Sequence, residues 1–363
     1  MATSVNSKPN SLPDPSASQT SGGGAGRRHR TSGGQARQRS KIPSGFGWML
    51  PGFVLSFGLI YFAIGYSGYL SLLPWDWNPR RDATIEGFSS YARAFDDRLF
   101  WLSLRHTLVF FIAAYVVQTV MGIVFAAMLH SRVYASTLFK VLIFVPVVIA
   151  PAIMSPVHRR VFAVDGPINA ILQQIGLIQV DGVGFRSWTP WVSSLLTQLG
   201  MGNVTPNWIQ PSTSLWVIIA VQIWSSIGMA FILFYASMGQ IDPEVIEAAR
   251  IDGANNLRVL VSVVIPSLRP TIVALAILNA ITALKLFDYP YLITGGGPAN
   301  SSEFLGTYIY AQLFGVSSNF GYAATLSMLL LVLALGVSII MGMSARERTP
   351  RRKKLKATEE VNG

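Results

Sequence analysis

The chain has 363 residues, of which 51% are hydrophobic and only 12% charged. A soluble domain carries about 25% charged residues, so this composition excludes an ordinary globular protein and indicates an integral membrane protein. The net charge of +11 collects in the two tails, which argues against a nucleic-acid-binding surface, and the absence of cysteine excludes disulfides and thiolate metal sites.

Residues 1–41 are rich in Ser, Gly, Pro and Gln and almost free of large apolar side chains, which predicts a disordered, basic, cytoplasmic tail. The polar stretch is too long, and the apolar run behind it too extended, for an ordinary secretory signal. The run Arg27-Arg28-His29-Arg30 suits topology fixing and contact with anionic membrane lipid. Six apolar segments follow: Phe46 to Leu73, Thr107 to Leu129, Val141 to Val157, Leu215 to Met238, Thr271 to Thr294 and Tyr322 to Met343. The fifth is the weakest, because Lys285 and Asp288 interrupt it. Residues 344–363 form a second basic tail. Lys and Arg mark cytoplasmic flanks, so both termini are placed in the cytoplasm and the number of spans must be even. That parity selects six. Trp48, Trp75 and Trp77 bracket the first span, and Trp216 and Trp224 lie in the fourth, as expected for aromatics at headgroup level. The fold class is therefore an all-α membrane protein with six transmembrane helices in residues 46–343.

The loop 239–266, between the fourth and fifth spans, has the build of a helix. Asp242 can cap it, Pro243 suits its first position, and Glu244 and Glu247 favour its positive end. Gly253 can end it in a left-handed conformation. A capped helix held at a membrane surface between two spans suggests a docking element.

The spacing of Glu247, Ala248, Ala249, Gly253, Val263, Ile265 and Pro266 resembles the cytoplasmic loop of permease subunits in binding-protein-dependent ABC importers. The resemblance implies a coupling helix that sits in a cleft of an ATPase subunit, with Glu247, Ala248, Ala249, Asp252, Gly253 and Pro266 as coupling residues. Other segments are similar to permeases for sugars and glycerol phosphates. They are Gly87-Phe88-Ser89-Ser90-Tyr91 with Phe95, then Gly166-Pro167-Ile168-Asn169 with Leu172 and Gly176-Leu177. Farther on come Phe287 to Pro298, then Tyr308, Tyr310, Phe314 and Gly321-Tyr322-Ala323. Ser90 stands where that family usually has Asn. The resemblance covers about Phe46 to Met343. It implies a plasma-membrane importer with four partners beside this chain: a second, different permease, two ATPase subunits and an extracytoplasmic solute-binding protein. ATP and Mg would sit on the ATPase subunits, with no cofactor on this chain.

No residues point to catalysis. Gly22-Gly23-Gly24 and Gly295-Gly296-Gly297 lack the Lys and Ser/Thr of a phosphate-binding loop, and the four histidines lack metal-ligand spacing. Within the fifth span, Lys285 and Asp288 are three apart and are expected to share a helix face, either towards a pore or snorkelling at the interface. Asn279 and Thr282 lie deeper and are candidates for solute contact, although a bond to a neighbouring helix is the better expectation. Gly295, Gly296, Gly297 and Pro298 predict a tight outer turn, which the resemblance places near the outer gate and the docked binding protein. The loop from about Gln179 to Thr205 exceeds the family norm and reads as a partner contact or, preferably, a tolerated insertion. A gradient-driven secondary transporter is the alternative, weakened because Asp288 is the sole acidic group in a span.

Overall fold

The structure is a computed structural model that describes residues 46–346 apart from 75, 78, 81, 83, 131–135, 182–185, 201–204 and 317. The N-terminal tail expected over 1–41 and most of the C-terminal tail lie outside the described residues. Residues up to Ser56 form one unit and those from Phe57 onward another. In the first, the described residues are the opening turns of helix α1 (Phe46–Leu70). All packing below belongs to the second.

After α1 come a short α2 (Ser89–Asp96) and the long α3 (Arg98–His130). Asp97 separates them and caps α3, its Oδ1 accepting from the Leu99 backbone N–H at 2.8 Å. The helix begins well before the expected Thr107, because the amphipathic turn Arg98–Arg105 precedes the apolar run.

The expected third span is not one helix. It divides into α4 (Ser136–Val148) and α5 (Pro151–Val161), bent by 99°. Pro151 explains the break. Its ring excludes α backbone at the preceding residue, and Ala150 is extended at φ −61°, ψ 138°. Next come α6 (Pro167–Gln174), a hairpin of β1 (Ile178–Val180) and β2 (Arg186–Trp188), and α7 (Pro190–Gln198). The β1–β2 register pairs Ile178 with Trp188. Buried Asn169 ties this region down. Its Nδ2 donates to the Val164 and Pro206 carbonyls at 2.9 Å each, and its Oδ1 accepts from Trp208 Nε1 at 3.0 Å.

The fourth span is α8 (Ser214–Met238). It packs against α3 and α4 through small residues, which lets backbones approach where lipid supplies no hydrophobic drive between helices. A Cβ on Gly228 would lie 2.6 Å from the Ile143 carbonyl oxygen of α4.

Then follow α9 (Pro243–Ile251), α10 (Asn256–Val259), a π-helical turn at Leu260–Val264, α11 (Ile265–Ser267) and α12 (Arg269–Leu284). The chain bends by 64° between α11 and α12. The expected fifth span is also shorter than its apolar run. It ends at Leu284, Lys285 is its C-cap, and a second π-helical turn occupies Pro290–Thr294. Pro290 supplies no N–H, and Lys285 and Asp288 break the apolar run, so regular α-helix stops. The last helices are α13 (Leu305–Phe314) and α14 (Phe320–Arg346).

Among the described residues, four helices are long and apolar enough to cross a membrane: Met49–Leu70, Arg98–His130, Ser214–Met238 and Phe320–Met343. The count reaches six when each bent pair is one span.

Candidate functional site

At one end of α8, α9 carries both of the caps its sequence allows. Asp242 accepts from the Glu244 N–H at 3.0 Å. At the other end Gly253 is left-handed at φ +81°. Its N–H donates to the Arg250 carbonyl, and that of Ala254 to the Ala249 carbonyl, each at 3.0 Å. This paired arrangement satisfies carbonyls that would otherwise be orphaned. The helix is fully formed yet buries none of its residues. Glu247, Ala248, Asp252 and Gly253 are exposed, Ala249 and Pro266 half-buried. Ile251 is 85% exposed. Beneath α9 lies an apolar groove of about 530 Å³, walled by Ile246 and Leu257 and by Met128 and Met238 at the ends of α3 and α8. A rigid helix with its apolar side chains in the open can engage a partner surface.

A second feature is a cavity of about 500 Å³ where α8, the end of α12 and the α4–α5 break converge. Its polar lining comes from Gln222, Ser225 and Ser226 of α8, from Thr282 and Lys285, and from Asp288 beyond the helix end. Lys285 and Asp288 do not share a helix face as expected, because α12 ends at Leu284, before either of them. Both are exposed and both line the cavity, with no ion pair between them among the described residues. Thr282 bonds back to the Leu278 carbonyl at 2.9 Å. Asn279, a path candidate from sequence, points elsewhere. It is buried, and its Nδ2 donates to Gln118 Oε1 of α3 at 3.3 Å. Gln118 Nε2 in turn donates to Ser226 Oγ at 2.9 Å, so the Asn279 amide connects to the cavity wall through α3. Also in the lining, Ser225 and Tyr289 share a 2.7 Å hydroxyl pair.

The sequence reading missed Gln118, Gln222, Ser225, Ser226 and Tyr289. Their signal was present, since amides and hydroxyls inside apolar runs mark helix contacts or a polar path.

The third feature is the turn after the second π-helical segment. Gly295 and Gly296 are left-handed at φ +64° and +83°, and the Gly297–Pro298 bond is cis. The Glu303 carboxylate fills the space where a Gly296 side chain would stand. Glu303 is buried, and its Oε1 has no hydrogen bond among the described residues. Burial raises its carboxyl above the usual range, against an opposing Thr307 hydroxyl. The Glu303 carbonyl accepts from His106 Nδ1 of α3 at 2.8 Å. Nearby, Asp97 gathers three elements. Its Oδ2 accepts from the hydroxyls of Tyr308 in α13 and Tyr322 in α14.

The family model for the binding-protein-dependent transport system inner membrane component matches residues 118–349. The chain belongs to this family. Among its relatives is the lactose transport system permease protein LacF of Rhizobium radiobacter, 32% identical over 73% of this chain and 82% of that protein. The multiple sugar-binding transport system permease protein MsmF of Streptococcus mutans is 26% identical over 81% of this chain and 93% of its own length. In fold, the permease is similar to a chain of a bacterial ABC transporter involved in the import of the acidic polysaccharide alginate. That match has a TM-score of 0.63 at 20% identity and covers 84% of this chain and 95% of that one.

Proposed function

We propose that this permease carries a carbohydrate inward through the cavity between α8, α12 and the α4–α5 break, driven by ATPase subunits that engage α9. The exposed, doubly capped α9 is the observation that carries this reading. A helix that spends both caps on order, and buries nothing within its own chain, is built to transmit force to a partner. In this reading six spans place both tails and the 239–266 loop in the cytoplasm, where ATP is. The chain binds no cofactor and performs no covalent chemistry. A second, different permease closes the path, and a solute-binding protein docks on the far side, beside Gly295, Gly296, Gly297 and Pro298.

The cavity lining supports a carbohydrate. Gln222, Ser225, Ser226 and Thr282 offer donors and acceptors spread over the walls, suited to many hydroxyls. Lys285 and Asp288 balance in charge, which favours a neutral sugar over a phosphate ester. ATP can shift the cavity only if α9 makes different contacts in the two states of the ATPase dimer. Glu247 supplies charge for such contacts, and Ala248 and Ala249 allow close approach.

The test is reconstitution of the assembled importer in proteoliposomes. Solute-dependent ATP hydrolysis with inward sugar flux is expected. Gradient-driven uptake by this chain alone would overturn the reading.

A further inference from the structure

The segment between α6 and α8 contains a helix with an exposed apolar face. Along α7 and its C-cap, Trp191, Leu195 and Leu199 follow at intervals of four and are 59%, 48% and 65% exposed. At about 100° per residue they form one edge of the helix. Val192 turns inward and is buried, and Ser194 and Thr197 lie on the opposite exposed edge. The helix is thus divided into an inner face, an apolar edge and a hydroxyl edge.

A further observation in the sequence says what covers the apolar edge. Between Arg186 and Asp242 the sequence contains no Asp, Glu, Lys, Arg or His. This uncharged run includes α7 and continues directly into α8. At ~1.5 Å per residue α8 is about 37 Å long, enough to cross a hydrocarbon core of about 30 Å. A water-facing segment between elements would normally carry charge.

We infer that α7 is an interfacial helix, lying in the bilayer surface at the end of α8 opposite α9, with Trp191, Leu195 and Leu199 among the acyl chains. Trp191 acts as a headgroup-level anchor. The apolar edge needs no basic residues, because its attraction is burial of surface and not charge. The helix would hold the α4–α5 break and the start of α8 at a fixed depth while the cavity changes access. The inference rests on α8 crossing the membrane and not on the identity of the solute.

The chain has no cysteine, so single cysteines can be placed at Trp191, Ser194, Leu195, Thr197 and Leu199 and spin-labelled. The full chain would be studied in nanodiscs of phosphatidylcholine and phosphatidylglycerol, with a label at Val120 of α3 as an in-membrane reference. Labels at 191, 195 and 199 should collide more with oxygen than with a water-soluble nickel chelate, and those at 194 and 197 the reverse. Equal access of the chelate to all five sites, with the Val120 label still in lipid, would overturn the inference alone. Access at Val120 as well would overturn the membrane assignment with it. Should a labelled variant fail to insert, brominated phosphatidylcholine on the unlabelled chain decides. It should quench tryptophan emission more in the parent than in Trp191→Phe, and equal quenching would count against the inference.

Discussion

Asn279 of α12 and Gln118 of α3 meet amide to amide at 3.3 Å, and Gln118 passes the contact on to Ser226 of α8 at 2.9 Å. The helices α12, α3 and α8 are thus joined by a polar thread that ends at the wall of the cavity. Interhelical hydrogen bonds of this kind contribute ~0.6 kcal/mol on average and up to ~1.7. Gln118→Leu should therefore lower thermal stability in detergent by an amount in that range. It should also slow transport more than stability alone explains, because Ser226 loses the donor that orients it at the cavity wall. Melting curves and uptake rates of Gln118→Leu, Asn279→Leu and the double variant check this. Losses that simply add would show that the thread does not act as a unit.

The approach of α8 to α4 depends on a missing side chain. Gly228→Val would place atoms against the Ile143 carbonyl oxygen, and the Val147 methyl already lies 2.8 Å from the position of a Cβ. Overpacking of this kind costs ~1–3 kcal/mol. The expected outcome is a lower melting temperature together with a displaced α4 that narrows the cavity. Solute-stimulated ATPase activity of the assembled importer reads the second effect.

Glu303 predicts a pH dependence. Burial raises its folded-state pKa above the ordinary carboxyl value of 4.5, so the folded protein binds this proton more tightly than the unfolded chain. Its contribution to stability is complete below pH 4.5 and is lost as pH rises through the folded value. Glu303→Gln removes the cost of a buried charge. The variant should melt higher than the parent at neutral pH, and the difference should shrink towards pH 4.5. Because His106 is present in both proteins, the difference isolates Glu303. A constant difference across that range would rule out titration of this carboxyl.

The α9 stop is a backbone requirement. Gly253 is left-handed, and no atom lies within 4 Å of where its Cβ would be. Gly253→Ala therefore pays only for conformation, ~1–2 kcal/mol, with no steric clash. It should fray the end of α9 and weaken coupling of ATP hydrolysis to uptake, while membrane insertion is unchanged. Hydrogen exchange of the Ala248–Gly253 amides checks the fraying directly.

Much of this was legible in the sequence where local chemistry decides the outcome. Asp242, Pro243 and Gly253 marked both ends of α9, since caps are encoded within a turn of the residue concerned. The apolar runs located α8 and α14 to within a few residues. The breaks were harder to read. Hydropathy averages over a window, so Val141 to Val157 and Thr271 to Thr294 read as continuous spans. The interruptions at Ala150–Pro151 and Lys285 depend on single residues within them. The cavity was the least legible, because it depends on α4, α5, α8 and α12 converging. Ser225 and Ser226 acquire meaning only once Tyr289 and Gln118 are seen beside them. Asn279 shows the converse, since its residue type suggested solute contact and its neighbour on α3 takes its amide.

If α9 receives the force of a partner ATPase and the cavity carries a carbohydrate in response, a reversed charge on α9 must break both steps at once. Sugar uptake and ATP hydrolysis measured together in proteoliposomes containing the assembled importer, with and without Glu247→Lys, test this. The variant should insert normally, yet lose sugar-stimulated hydrolysis and uptake together, because the reversed charge faces outward from a helix that is otherwise intact. Undiminished uptake tightly coupled to hydrolysis in the variant would contradict it.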